Sequence, residues 1–207
     1  MAARHRVFDR TSAKPAAYRG PVSEAWRLLC LAYLKLSGWR IEGDWPRDIA
    51  KMTLVAAPHT SNWDGVNMLA AAGYYRVPLK WMGKKELTTG PLGGLVKWLG
   101  CIPVDRDKGG DLVKTMAEAF AAAKTLTLAV APEGTRAATP GWRSGFYYIA
   151  LAAGAPIVMS VLDYGTKTIA LSGALEPSGD YEADLKLIQS HYAGARGLSA
   201  GNFSLGR

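Results

Sequence analysis

The chain contains few of the residues that indicate a cross-linked or secreted protein. Among its 207 residues there are only two cysteines, Cys30 and Cys101. Two cysteines are too few for a disulfide framework, and both lie among apolar residues, so we expect reduced thiols in the core. The first 20 residues start with charged groups, but no apolar run follows them, so we expect no secretory signal there. With 49% hydrophobic and 20% charged residues, the composition excludes a disordered chain and favours one globular domain.

Long hydrophobic runs are also scarce. One uncharged stretch, residues 144–162, has 19 residues and meets the minimum length of a membrane span. Gly154, Ala155 and Pro156 interrupt it, which predicts a helix before the interruption and a strand after it. We therefore interpret this stretch as part of the core.

Acidic residues are in deficit, since 17 acidic and 25 basic side chains give a net charge of +8. Residues 1–40 hold eight of the basic and two of the acidic side chains, so most of the excess lies there. A basic segment on a nearly neutral body indicates an anionic partner, either nucleic acid or an anionic membrane surface. Residues 1–20 show no periodicity and are predicted to form a flexible basic arm.

Strand and helix patterns alternate beyond residue 50. Strands are predicted at 52–57, 79–82, 102–104, 125–131, 157–161 and 168–171, and helices at 63–75, 92–99, 111–124, 145–153 and 180–192. This alternation predicts an α/β fold of three layers, α/β/α, with a mainly parallel or mixed central sheet. An amphipathic helix at 22–38 precedes it, whose predicted apolar face consists of Trp26, Leu29, Cys30, Tyr33 and Leu36.

The loop after the first of these strands carries a candidate catalytic pair, His59 and Asp64. Ligands bind beyond the carboxyl ends of the strands in such sheets. A carboxylate that accepts a hydrogen bond from one imidazole nitrogen fixes the tautomer and makes the other nitrogen a better base. No serine lies in a nucleophile-elbow sequence, so the alcohol to be deprotonated would belong to the substrate. The alternative is that Asn62 or Asp64 caps a helix and His59 is an ordinary loop histidine.

Two further segments could bind an anion. Glu133, Gly134, Thr135 and Arg136 follow the strand at 125–131, and they offer a tight turn, a hydroxyl group and a guanidinium suited to phosphate. Arg106 follows the strand at 102–104. The alternatives are a turn with a Glu–Arg surface pair, and a strand end where Arg106 pairs with a neighbouring aspartate.

Taken in this order, the segments resemble the glycerolipid acyltransferases, the lysophospholipid acyltransferase family typified by 1-acylglycerol-3-phosphate acyltransferase. That family carries His-x4-Asp, a glycine and arginine flanking a hydrophobic strand, Glu-Gly-Thr-Arg, and a hydrophobic segment around proline. The matching segments here are 59–64, 100–106, 133–136 and 155–158. His-x4-Asp alone is common by chance, but its ordered combination with Glu-Gly-Thr-Arg is specific.

The resemblance implies a role for each matched residue. His59 would be the general base that deprotonates the acceptor hydroxyl, and Asp64 would orient it. The hydroxyl would then attack the thioester of acyl-CoA or acyl carrier protein, with no acyl-enzyme, no metal and no cofactor beyond that co-substrate. The acceptor, a lysophospholipid, would be held through its phosphate or glycerol part by Arg106, Glu133, Gly134, Thr135 and Arg136.

The resemblance also assigns the basic segment to an anionic membrane surface rather than to nucleic acid. The expected organisation is a flexible arm at 1–20, a membrane-associating helical segment at 21–45, an acyltransferase domain at 46–194 and a mobile tail at 195–207. The expected location is the cytoplasmic face of the cell membrane, as a peripheral protein. Four alternatives stay open: a different lipid acceptor such as an aminolipid or glycolipid, a catalytically silent lipid-binding protein, an acyl-CoA hydrolase, and a nucleic-acid-binding module. Helix 22–38 could equally cover the core.

Overall fold

The structure, a computed structural model, describes residues 5–6, 21–104 and 112–205. The strands are β1 (His5–Arg6), β2 (Arg40–Glu42), β3 (Lys51–Ala57), β4 (Leu79–Lys84), β5 (Cys101–Val104), β6 (Leu126–Val130), β7 (Ile157–Asp163) and β8 (Thr168–Leu175). The helices are α1 (Pro21–Ser37), α2 (Trp63–Tyr75), α3 (Gly93–Trp98), α4 (Leu112–Ala122), α5 (Gly145–Ala153) and α6 (Tyr181–Ser190). Short 3-10 helices lie at Lys85–Thr88 and Ala200–Asn202.

One mixed sheet contains all eight strands, in the order β1-β8-β7-β3-β6-β4-β5, with β2 also paired to β8. The five strands from β7 to β5 are parallel, whereas β8 is antiparallel to β7. The predicted mixed sheet is therefore confirmed, but the short strand β2 was not predicted. Because β3 lies between β6 and β7, the loops after β3 and β6 emerge side by side.

Helices cover both faces of the sheet, which confirms the predicted three layers. Val55, Leu128 and Ile157 project to one face, where they pack in a core with residues of α4, α5 and α6. Leu54 and Val158, one position along their strands, project to the opposite face and pack with α2. This alternation follows from the two-residue period of a strand. The uncharged stretch 144–162 thus forms α5 and β7 in the core, as predicted.

Helix α1 packs antiparallel on α2, outside the sheet layer. Arg76 Nε donates to Glu24 at 2.8 Å, and the Tyr33 hydroxyl donates to Asn67 Oδ1 at 2.8 Å. A Cβ atom at Gly73 would lie 2.4 Å from Cys30 Sγ, so glycine permits this close contact. Both cysteines are free and buried, as predicted, and burial raises the pKa of Cys30 to about 11.

The predicted apolar face of α1 is wrong at two positions. Cys30 is buried, but Leu29 is 65% exposed and Leu36 is 87% exposed, as is Leu28 at 61%. The physical reason is that α1 packs on α2 and meets β7 and β8 only through the cluster that contains Leu34, so only a narrow stripe of the helix is covered. Of the helices that the structure describes, none has the length and hydrophobicity required to cross a bilayer.

Both chain ends differ from the expectation. His5 and Arg6, in the predicted flexible arm, pair with the edge of β8, whose unpaired backbone groups accept an added strand. The other residues of that arm lie outside the described residues. Residues 195–205 of the predicted mobile tail are held against the body, because Phe203 and Leu205 are partly buried against the core and Gln189 Nε2 donates to the Leu205 carbonyl.

Candidate active site

The candidate site lies at the carboxyl end of the two central strands. The loop after β3 begins with the cis peptide Ala57–Pro58 and carries His59, and the loop after β6 carries Glu133. Because β3 and β6 are paired in parallel, the two loops meet. This is the position at which open α/β sheets bind ligands.

His59 and Asp64 form the pair that the sequence predicts. Nδ1 of His59 lies 3.3 Å from Oδ2 of Asp64. A hydrogen bond from Nδ1 leaves Nε2 as the acceptor in the neutral ring. The His59 side chain is 31% exposed, whereas that of Asp64 is 4% exposed. The ring is therefore partly open to solvent while its carboxylate partner is buried, an arrangement that suits proton abstraction from an entering alcohol.

Asp64 accepts more hydrogen bonds than the one from His59. Its Oδ2 accepts from the backbone amides of Thr60 and Ser61 at 2.6 and 2.7 Å. Its Oδ1 accepts from the Ser61 hydroxyl at 3.0 Å and from the Tyr164 hydroxyl at 2.6 Å. Burial by itself would raise the pKa of Asp64, but these donors outweigh burial and the pKa lies below its ordinary value. The carboxylate is therefore ionised in the folded protein near neutral pH.

Glu133 lies within the protein behind His59. It is 1% exposed, and its Oε1 accepts from the His59 backbone amide at 2.8 Å. Its Oε2 has no hydrogen-bond partner among the residues that the structure describes. Burial raises the pKa of Glu133, although the bond from the His59 amide opposes the rise. In this structure Glu133 supports the loop of His59. Its expected contact with the substrate that receives the acyl group stays a prediction.

The rest of the Glu-Gly-Thr-Arg segment forms a turn beside that loop. Gly134 has a φ of +65°, and a Cβ atom there would lie 2.8 Å from Arg143 Cδ. Thr135 Oγ1 accepts from the Ala137 amide at 3.2 Å, so it stabilises the turn. Arg136 is exposed and donates to the Asn62 side chain, in the loop of His59.

The other predicted cation, Arg106, lies outside the described residues. Arg143, which the sequence analysis did not select, places its side chain against Gly134 and is exposed. A second guanidinium therefore lies beside the Glu-Gly-Thr-Arg turn. Of the residues that the structure describes, no three His, Cys, Asp or Glu side chains are grouped as a metal ion would require.

Besides Arg143, sequence reasoning missed two contributions to the site. Tyr164 follows β7 directly, so the rule that ligands bind at the carboxyl ends of strands could have found it. The carboxyl-terminal segment gave no signal, yet its Ser199 amide donates to Thr60 Oγ1 at 3.3 Å. Asn202 also donates to the Arg136 carbonyl at 3.0 Å. This segment therefore braces both loops of the site.

Comparison with known proteins agrees with the motifs. The sequence profile of a family described as Acyltransferase matches residues 41–162. The 1-acyl-sn-glycerol-3-phosphate acyltransferases of Salmonella typhimurium and Escherichia coli are each 30% identical over 131 residues, which is 59% of this chain and 52% of each relative. The chain thus spans about half the length of these curated relatives.

A solved structure supports the fold. The crystal structure of the 1-acyl-sn-glycerophosphate (LPA) acyltransferase PlsC from Thermotoga maritima matches with a TM-score of 0.57 and 15% sequence identity. The match covers 86% of this chain and 81% of that one. At this identity the likeness concerns the α/β architecture.

Proposed function

Since this chain belongs to the Acyltransferase family, we propose that it transfers a fatty acyl group from acyl-CoA or acyl carrier protein to the hydroxyl group of a lysophospholipid. The acceptor that we favour is 1-acylglycerol-3-phosphate. The observation that carries the proposal is the His59–Asp64 pair, in which Nδ1 of a partly exposed imidazole lies 3.3 Å from Oδ2 of a buried carboxylate. The acyl thioester is the co-substrate, and the reaction as we write it uses no other cofactor.

In the proposed reaction, Nε2 of His59 takes the proton of the acceptor hydroxyl as its oxygen attacks the thioester carbonyl carbon. The new C–O bond forms a tetrahedral intermediate, and its collapse breaks the C–S bond. The proton held by His59 then passes to the leaving thiolate, so the base is regenerated. Asp64, which is buried and ionised, stabilises the imidazolium formed in between.

The loop after β6 supplies the acceptor site in this proposal. Arg136 and Arg143 are exposed guanidinium groups on the two ends of this loop, and such groups suit a phosphate dianion. Arg106 is the third cation proposed for this role. Gly134 and Thr135 form the turn that places Arg136, while Glu133 fixes the His59 loop from behind.

We further propose that the protein binds the cytoplasmic face of the membrane peripherally. Leu28 and Leu29 on α1, and Leu92, Leu95 and Trp98 on and before α3, are exposed, and we call them the α1–α3 apolar surface. The two helices are neighbours, because the rings of Trp26 and Trp98 pack edge to face at 5.7 Å. An exposed apolar surface in a chain whose first 40 residues carry most of the excess positive charge favours an anionic lipid surface as partner.

The test of the catalytic proposal is a screen of lipid acceptors with purified protein and acyl-CoA. Acyl transfer to 1-acylglycerol-3-phosphate is expected, and His59→Ala should abolish it while the far-ultraviolet circular dichroism spectrum is unchanged. Wild-type activity in His59→Ala would refute the mechanism. Transfer only to an aminolipid or glycolipid would show that the proposed acceptor is wrong. Release of free fatty acid without transfer would favour an acyl-CoA hydrolase.

The test of membrane binding is sedimentation with vesicles. Binding to vesicles containing phosphatidylglycerol is expected, and Leu29→Glu should weaken it. Leu187→Glu is the matched control, because Leu187 is an exposed leucine on α6, on the opposite side of the sheet. Equal loss of binding in both variants would contradict a specific role for the α1–α3 apolar surface.

A further inference from the structure

Tyr164 and His59 bind opposite oxygens of the Asp64 carboxylate. The Tyr164 hydroxyl donates to Oδ1 at 2.6 Å, whereas His59 Nδ1 lies 3.3 Å from Oδ2. A carboxylate can turn about its Cβ–Cγ bond, and a strong donor fixed on one oxygen opposes that rotation. The Tyr164 hydroxyl therefore fixes the orientation of the Asp64 carboxylate towards the imidazole, together with the Thr60 and Ser61 amides on Oδ2 and the Ser61 hydroxyl on Oδ1.

Tyr164 is itself held from several sides. Its backbone amide donates to the Arg196 carbonyl at 2.8 Å. Its ring packs edge to face on Trp39, with centroids 4.9 Å apart, and Trp39 is buried. The turn after it is closed by the Gly165 amide, which donates to Asp163 at 2.9 Å. The position of the hydroxyl thus depends on the body of the protein rather than on Asp64 alone.

A hydrogen-bond chain from α1 fixes the direction in which that hydroxyl donates. Tyr33 donates to Asn67 Oδ1 at 2.8 Å, and Asn67 Nδ2 donates to the Tyr164 oxygen at 3.1 Å. Ionised Asp64 can only accept, so Tyr164 must give it its single proton. The Tyr164 oxygen is then left as an acceptor, and Asn67 can meet it only with its amide nitrogen.

The hydrogen bonds that link Tyr33, Asn67, Tyr164 and Asp64 lie in an environment that strengthens them. Asn67 is 1% exposed and Asp64 is 4% exposed, and low polarity of the surroundings strengthens each link. Burial, with the bond to Asp64, raises the pKa of Tyr164. The hydroxyl therefore remains protonated, and hence a donor, over the range in which a histidine can act as a base.

We propose that Tyr164 is a positioning residue for acyl transfer, whose hydroxyl holds Oδ1 of Asp64 and so keeps Oδ2 directed at His59. Asn67 and Tyr33 orient that hydroxyl. The proposal rests on the proposed function, since it assigns Tyr164 to the reaction that His59 performs. Tyr164 touches neither substrate in this mechanism and acts through Asp64.

The test compares Tyr164→Phe with wild type in acyl transfer from acyl-CoA to 1-acylglycerol-3-phosphate. We expect kcat to fall about tenfold, the size of effect for one hydrogen bond to a charged group, while KM for both substrates stays within about twofold. The acidic limb of the kcat/KM profile should move to lower pH. The reason is that Asp64, without its Oδ1 donor, can turn away from His59 and stabilises the protonated imidazole less well, so His59 loses its proton at lower pH. Tyr181→Phe is the matched control, since Tyr181 packs through its ring on Tyr147 and Tyr148.

A second measurement does not depend on catalytic activity. The imidazole signals of His59 are followed by NMR against pH in both variants and in wild type, with His59→Gln to assign them among three histidines. A midpoint that falls in Tyr164→Phe and not in Tyr181→Phe supports the proposal, even if the wild type transfers no acyl group and the proposed function fails. An unmoved or raised midpoint overturns the proposal, and so does a fall in kcat that a lower unfolding temperature fully explains.

Discussion

Replacement of Asp64 by Asn separates the charge of this side chain from its shape. In the wild type, Oδ2 accepts from His59 and from the Thr60 and Ser61 amides, and Oδ1 accepts from Ser61 and Tyr164. Asparagine accepts through one oxygen only. We expect that oxygen to face the two backbone amides, because an amide N–H can only donate. The amide nitrogen of the new side chain then faces two hydroxyl groups, which must turn to accept from it.

The structure allows the effects of Asp64→Asn on stability and on kcat to be estimated. The bonds that persist change from charged to neutral, and each such change removes about 1 kcal/mol, partly offset because no charge is buried. We therefore expect Asp64→Asn to lower the free energy of unfolding by about 1–3 kcal/mol. The loss of acyl transfer should be larger, about 10²–10⁴-fold in kcat, because a neutral partner no longer stabilises the imidazolium of His59.

Chemical denaturation against pH and initial-rate assays measure the two effects. The pKa of Asp64 is lowered in the folded protein, so its contribution to stability is present above its unfolded pKa of about 4 and is lost as pH falls through the folded value. The difference in unfolding free energy between wild type and Asp64→Asn should therefore shrink below about pH 4. A folded variant with kcat within tenfold of wild type would refute the role of Asp64. A difference that is constant down to pH 3 would refute the hydrogen-bond account.

Two further predictions concern stability. Burial raises the pKa of Glu133, so its ionised form costs stability increasingly as pH rises from the unfolded to the folded pKa. Glu133→Gln can still accept from the His59 amide, and its melting temperature relative to wild type should rise between pH 5 and pH 8; an equal difference at both pH values would contradict this. Gly73→Ala should destabilise the protein by about 1–3 kcal/mol, because its Cβ would lie 2.4 Å from Cys30 Sγ. Gly65→Ala, in the same helix with open space at its Cβ, should instead stabilise it by up to about 1 kcal/mol in denaturant titrations.

Much of the fold could be predicted because its strands are buried on both faces. Apolar runs such as 52–57 and 157–161 cannot remain exposed, and helical periodicity between them leaves few topologies. Strand β2 could not be predicted, since three residues carry no periodic signal and their pairing with β8 depends on the whole sheet. The exposure of Leu29 and Leu36 could not be predicted either, because periodicity shows that a helix is amphipathic but not how wide a surface covers it.

The candidate site divides in the same way. His59, Asp64 and Glu133 are adjacent in space because parallel strands end at one edge, which the order of motifs implied. The support around them comes from remote parts of the chain: Tyr164 lies 100 residues from Asp64, and Ser199 lies 139 residues from Thr60. The position of Tyr164 after β7 could indicate that it lies at this edge of the sheet, but its contact with Asp64, like that of Ser199 with Thr60, depends on tertiary packing that sequence spacing does not predict.

The contacts that hold His59 and Asp64 explain why the His-x4-Asp spacing alone does not make His59 a general base. His59 has a partially exposed ring on a loop, and a loop histidine samples several rotamers unless its neighbours restrict it. Here its backbone amide is bound by Glu133 and its Nδ1 faces Asp64, so both ends of the residue are held. Asp64 in turn is held by its own loop and by Tyr164. The precision of the pair therefore comes from three strands, β3, β6 and β7, and a change that loosens any one of them should reduce kcat before it reduces substrate affinity.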